Sequence, residues 1–267
     1  MILLSKLLLA PSCVVAVSLA GRRWGTAIAG ILGGLPVVAG PILLVLALVH
    51  GPTFGAIAAA GTLLGLCALA TFVVIYGRVS ESLGPAASVL CGWGGFLATV
   101  ALLDQIRPPE AVALAMAGAS FAAGLALLPV PGGEPAQTGT LPWWDLPARG
   151  LAAMALVLIL TAASGSLGPN LSGLLAPFPI ITGVLAVFTH AHGGSAQVRI
   201  LLRNFLIGFY GFASFCFILA IGLLPLGTGP AFIVAIAVAV GVQTAVFVAR
   251  SKRWVRAGTE AALERSG

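Results

Sequence analysis

Leu35-Pro36-Val-Val-Ala-Gly40 lies inside one long apolar run, and Phe178-Pro179-Ile-Ile-Thr-Gly183 lies inside another. Each is preceded by a glycine-flanked stretch, Gly25-Thr-Ala-Ile-Ala-Gly30 and Gly168-Pro-Asn-Leu-Ser-Gly173. A single shift of 143 residues carries Gly25, Gly30, Pro36, Gly40, Gly51 and Gly65 onto Gly168, Gly173, Pro179, Gly183, Gly194 and Gly208. With 35 glycines in 267 residues, chance would supply one or two such coincidences, so the chain reads as an internal repeat.

Composition sets the class. The chain is 60% hydrophobic and 7% charged, whereas soluble domains carry about 25% charged residues. No soluble core could bury that much apolar surface, so an integral membrane protein is predicted. The apolar runs are continuous instead of alternating, which argues against a membrane barrel. Each span must then close its own backbone hydrogen bonds as a helix. The net charge of +6 comes from residues scattered at span ends and from Arg250, Lys252, Arg253 and Arg256. This reads as topology signalling and contact with the lipid bilayer, not nucleic-acid binding. Cys13, Cys67, Cys91 and Cys216 share no metal or disulfide spacing and read as small apolar fillers.

Taken in order, the predicted spans are residues 1–20, 26–49, 54–76, 85–103, 110–128, 148–165, 170–190, 204–224 and 229–249. Val17-Ser-Leu-Ala20 could pass for a signal-peptidase site. The repeat nevertheless carries this run onto residues 148–164, so a retained first helix is expected. A Pro-, Gly- and polar-rich linker fills 129–147, with Trp143 and Trp144 at its far end. The fold expected is an all-α integral membrane protein of about nine transmembrane helices. Residues 1–105 form the first four-helix repeat and 106–147 a connecting helix and linker. Residues 148–250 form the second repeat and 251–267 a basic cytoplasmic tail. After a two-residue slip, Gly84-Pro85 falls on Gly229-Pro230 and Thr99 on Thr244.

Five spans precede the second repeat, so it must enter the membrane upside down relative to the first. Placing the C-terminus in the cytoplasm puts Arg22, Arg23, Arg78, Arg149, Arg199, Arg203 and the basic tail inside. Lys6 and Arg107 alone lie outside, a bias of eleven to two in the positive-inside direction. The expected placement is the bacterial inner membrane, N-terminus outside.

Gly173-Leu-Leu-Ala-Pro-Phe-Pro-Ile180, the Gly193-Gly194 turn and Arg203 with its following span resemble the GlpM family. Those are small four-helix bacterial membrane proteins associated with alginate production. The likeness covers about 150–225, and the first repeat departs from it, with Leu35-Pro36 for Phe-Pro and Ala60 where an arginine would stand. It implies a fused version of a module that otherwise pairs with an inverted copy of itself, and partners in envelope biogenesis.

Proline in a helix frees the carbonyl four residues back, here Leu32 and Leu175. In inverted-repeat transporters, interrupted helices from each half meet near the midplane and offer backbone groups to substrate. The expected substrate site therefore holds Leu32, Pro36 and Gly40 with Leu175, Pro179, Thr182 and Gly183. Thr71 with Ser214, and Thr99 with Thr244, are its candidate polar lining. Asn170, Gln243 and Tyr76 are further candidates, each with the plainer reading of an interhelical hydrogen bond.

His50, His190 and His192 fall at span ends without metal-pair spacing, so no metal is expected. No nucleotide loop or nucleophile–base pattern is present, so neither a cofactor nor an enzyme activity is expected. No Asp, Glu, Lys or Arg lies at a span centre, which disfavours proton relay through a buried carboxylate. Two function classes remain. One is a transporter, permease or flippase for a neutral, amphiphilic or lipid-linked envelope metabolite, or for an anion held by helix ends. The other is a non-transporting subunit or assembly factor of an envelope polysaccharide system.

Overall fold

In the computed structural model, described for residues 2–36, 39–129, 144–163 and 169–264, the chain is helical. The helices are α1 (Ile2–Trp24), α2 (Thr26–Gly33), α3 (Ala39–His50), α4 (Pro52–Val79), α5 (Pro85–Leu103), α6 (Glu110–Leu127), α7 (Asp145–Ala163), α8 (Pro169–Leu175), α9 (Ile180–Leu226) and α10 (Thr228–Glu264). The described residues contain no strand. Five stretches are long and apolar enough to cross a membrane: Pro52–Val79, Pro85–Leu103, Glu110–Leu127, Asn170–Leu226 and Thr228–Val246. The protein is an all-α membrane protein. The predicted linker between α6 and α7, including Trp143, lies almost wholly outside the described residues, as does the Gly165-Ser-Leu167 loop.

Local chemistry sets the helix ends. Pro52 and Pro85 open α4 and α5 at their first turns, where the missing N–H would have no partner in any case. Gly51 and Gly194 both have positive φ, at φ 90°, ψ 165° and φ 72°, ψ −175°. An L-residue would be strained in either place, and the two lie 143 residues apart. At Gly51 the chain turns between two helices. At Gly194 it bends one 47-residue helix in two, so the predicted loop before residue 204 is helical. Gln197, Arg199 and Asn204, which the sequence places in or beside that loop, are buried.

Helices α5 and α10 follow Gly84 and Gly227, again 143 apart. No two-residue slip separates these starts, and in this register Thr99 falls on Val242 instead of Thr244.

The core is a seam between α4 and α9, which carry most of the large buried side chains: Phe72, Tyr76, Phe205 and Phe209 among them. Short α2 lies against the second arm of α9, and short α8 lies against α4. Both crossings are so close that glycine is required. A methyl group on Gly30 would stand 2.5 Å from the Leu201 carbonyl oxygen, and one on Gly173 would run into the Ala58 carbonyl oxygen. Leu201 is Ala58 shifted by 143, so the same contact is made twice. Gly34 meets Gly208, and Pro177 meets Gly65, in the same exchanged sense. Close glycine-mediated approach of this kind holds helices together where lipid removes the hydrophobic drive.

Candidate functional site

Each proline breaks its helix outright. Within the spans expected over 26–49 and 170–190, α2 ends at Gly33 before α3 begins at Ala39, and α8 ends at Leu175 before α9 begins at Ile180. Proline disfavours the helical conformation in the residue before it, here Leu35 and Phe178. The second break also carries a second proline, Pro177.

The two breaks are closed by the same hydrogen bonds. Leu35 N donates to Leu32 O at 3.1 Å and Phe178 N to Leu175 O at 2.9 Å. Gly40 N donates to Pro36 O at 2.8 Å and Gly183 N to Pro179 O at 3.1 Å. The carbonyls of Leu32 and Leu175 are thus each engaged by a tight turn, with one lone pair remaining.

A cavity of about 40 Å³ lies between the breaks. Four matched pairs line it: Gly33 with Ala176, Leu35 with Phe178, Ala39 with Thr182, and Leu69 with Phe212. Pro177, Ile180, Ile181 and Phe209 complete its wall. No lining residue is charged. Of the site residues expected from sequence, Thr182 lines the cavity. Pro36, Gly40, Pro179, Gly183, Leu32 and Leu175 belong to the breaks themselves, without appearing in the lining.

The paired hydroxyls are elsewhere. Thr71 donates to Cys67 O, Ser214 to Tyr210 O, Thr99 to Gly95 O and Thr244 to Val240 O, each within its own helix. Thr244 is exposed on the outer face. The other polar candidates are interhelical ties. Tyr76 Oη lies 3.4 Å from His190 Nδ1, Gln243 Nε2 donates to Ile31 O at 3.2 Å, and Asn170 Nδ2 donates to Asp104 Oδ1 at 2.7 Å.

Thr182 differs from all of these. It is 4% exposed and its hydroxyl has no hydrogen-bond partner among the described residues. Its own i−4 carbonyl, Phe178 O, is taken by Ile180 N at 2.7 Å. Trp93, which sequence reading did not single out, has its ring centroid 5.8 Å from that of Phe178, and its buried Nε1 is likewise unpartnered among the described residues. Phe178 and Phe212 in the lining are the partners of Leu35 and Leu69 under the shift of 143, so the aromatic side of the cavity belongs to the second half of the chain.

A charged cluster joins several elements away from this cavity. Asp145, fully buried, accepts from Arg22 Nη2 at 2.8 Å and from Arg149 Nε at 2.9 Å, with His192 Nδ1 3.7 Å away. Burial pushes the Asp145 carboxyl up, but the Arg149 and Arg22 guanidiniums outweigh it and hold the group below the usual carboxylate range. Thr26 Oγ1 donates to Gln197 Oε1, and Arg199 pairs with Glu81. Arg203 donates to the carbonyls of Leu125 and Leu128, and Arg78 to that of Leu127. Two arginines thus satisfy the last carbonyls of α6, where a helix carries partial negative charge.

No protein-family model matches the chain, and no curated protein or solved structure matches it either. The resemblance to GlpM rests on the residues quoted above.

Proposed function

We infer that this protein is a bacterial inner-membrane permease built from two inverted four-helix repeats around a shared site at the bilayer midplane. Nine crossings follow when α2 with α3, and α8 with the first arm of α9, each count as one broken span. The observation that carries this reading is a cavity lined by matched residues of both breaks. Paired broken helices at a pseudo-two-fold axis are the arrangement by which such transporters expose one site to either side in turn.

Contacts at the two ends of the bundle support the inversion. Thr26, at the start of α2, bonds Gln197, two residues from the Arg199 that pairs with Glu81 just before α5. Asn170, at the start of α8, bonds Asp104 just after α5. The 19 residues of α5 separate those points by about 28 Å. The matched short helices therefore start at opposite ends. The arginines at 22, 78, 149, 199 and 203 gather with the Thr26 end, in keeping with a cytoplasmic face there and a cytoplasmic C-terminus.

Organic ligands occupy pockets of roughly 300–1,000 Å³, so a cavity of about 40 Å³ is too small to hold one as it stands. Transport of a neutral, amphiphilic or lipid-linked envelope metabolite requires the two repeats to rock apart around the breaks. The small cavity and the self-bonded hydroxyls of Thr71, Ser214, Thr99 and Thr244 favour the second reading, a non-transporting subunit of an envelope polysaccharide system. Partners in envelope biogenesis and the GlpM likeness belong to that reading as readily as to the first.

Single cysteines at Ala39 and Thr182 separate the two. The permease reading expects both to react with water-soluble maleimide, from opposite sides in different conditions. Lack of reaction from both sides under every condition would remove it.

A further inference from the structure

We propose that the start of α9 is a binding site for a small monovalent anion of halide size, held by backbone N–H groups and the Thr182 hydroxyl. Groups able to donate hydrogen bonds collect there without acceptors. Ile180 N is used by Phe178 O and Gly183 N by Pro179 O, while the N–H groups of Ile181 and Thr182, between them, have no backbone partner among the described residues. The Thr182 hydroxyl, 4% exposed and unpartnered, faces the same cavity. Buried donors are almost always satisfied in native proteins, so their convergence calls for an acceptor.

Two observations define that acceptor. The cavity of about 40 Å³ has space, as it stands, for only a few bodies the size of water, which favours a small ion over an organic one. It adjoins the N-terminus of a helix, where backbone partial charge favours an anion. A cation would instead need carbonyl oxygens. Leu32 and Leu175, whose carbonyls the breaks free, are not among the residues that line the cavity.

As a statement about what is carried, this rests on the permease reading; as a statement about binding, it rests on the cavity alone. The test takes the purified full chain in detergent and compares its thermal unfolding in sodium chloride, sodium bromide, choline chloride and sodium gluconate at equal ionic strength. Stabilisation that follows chloride or bromide, whichever cation accompanies it, is expected. The isosteric Thr182→Val should weaken halide affinity by about tenfold or more, while Thr182→Ser should retain it. Equal unfolding temperatures in halide and gluconate, or a dependence on sodium instead of halide, would overturn the site. So would halide stabilisation left unchanged in Thr182→Val. Halide flux into vesicles is measured separately: binding without flux keeps the site and removes halide as what the permease carries.

Discussion

A methyl group is too large at Gly30 and Gly173, and this can be tested residue by residue. Each glycine lets one helix touch the backbone carbonyl of another, at Leu201 and Ala58 respectively. Gly173→Ala should lower stability by about 1–3 kcal/mol through overpacking against backbone that cannot swing away. Gly94→Ala, on α5 with open space around it, should be neutral or slightly stabilising. Thermal unfolding in detergent, with the two variants side by side, checks both.

Asp145 makes the second prediction at this scale. Its carboxyl is held below the ordinary range, so the unfolded chain binds its proton more readily than the folded one. Its contribution is therefore complete at neutral pH, and is lost as acidification passes the ordinary carboxylate range and then the lower folded value. Asp145→Asn should remove this acid-sensitive increment and leave Arg149, itself buried, without its partner, at a cost of about 3–5 kcal/mol. An unchanged acid limb in the variant would contradict the assignment.

The elements show what a sequence can and cannot declare. Proline and glycine mark positions where backbone geometry changes, so Pro36 and Pro179 located the two interruptions. How far the helix opens depends on neighbours, and here tight turns at Leu35 and Phe178 replace a bend with a break. Arg199 and Arg203 suggested a loop because charge is costly in lipid. The helix continues through them because Glu81 pairs with Arg199 and the α6 carbonyls accept from Arg203. Thr71, Ser214, Thr99 and Thr244 matched in composition, but a hydroxyl in an apolar helix finds its own i−4 carbonyl first. Thr182 escapes that fate only because its carbonyl lies in a break, which no pattern of letters states. At this scale, Arg203→Met should release the end of α6. Cysteines placed at Leu127 should then label faster than in the parent, whereas unchanged labelling would mean that Arg78 alone anchors that end.

For the whole molecule, the shift of 143 was legible from glycine and proline alone, and it returns as the exchanged contacts Gly30–Leu201 and Gly173–Ala58 and as the matched pairs around one cavity. The Asp145 cluster was not legible, since Arg22, Asp145, Arg149 and His192 meet only after 170 residues of chain have folded. The proposed function depends on one geometric claim, that the second repeat is the first turned over in the membrane. Gly51 and Gly194 are its equivalent turns, with similar backbone angles and the same place in each repeat. Paired reporters fused after residue 51 and after residue 194, one active only in the cytoplasm and one only outside it, measure this directly. The account predicts residue 51 outside and residue 194 in the cytoplasm. Finding both on one side would contradict it.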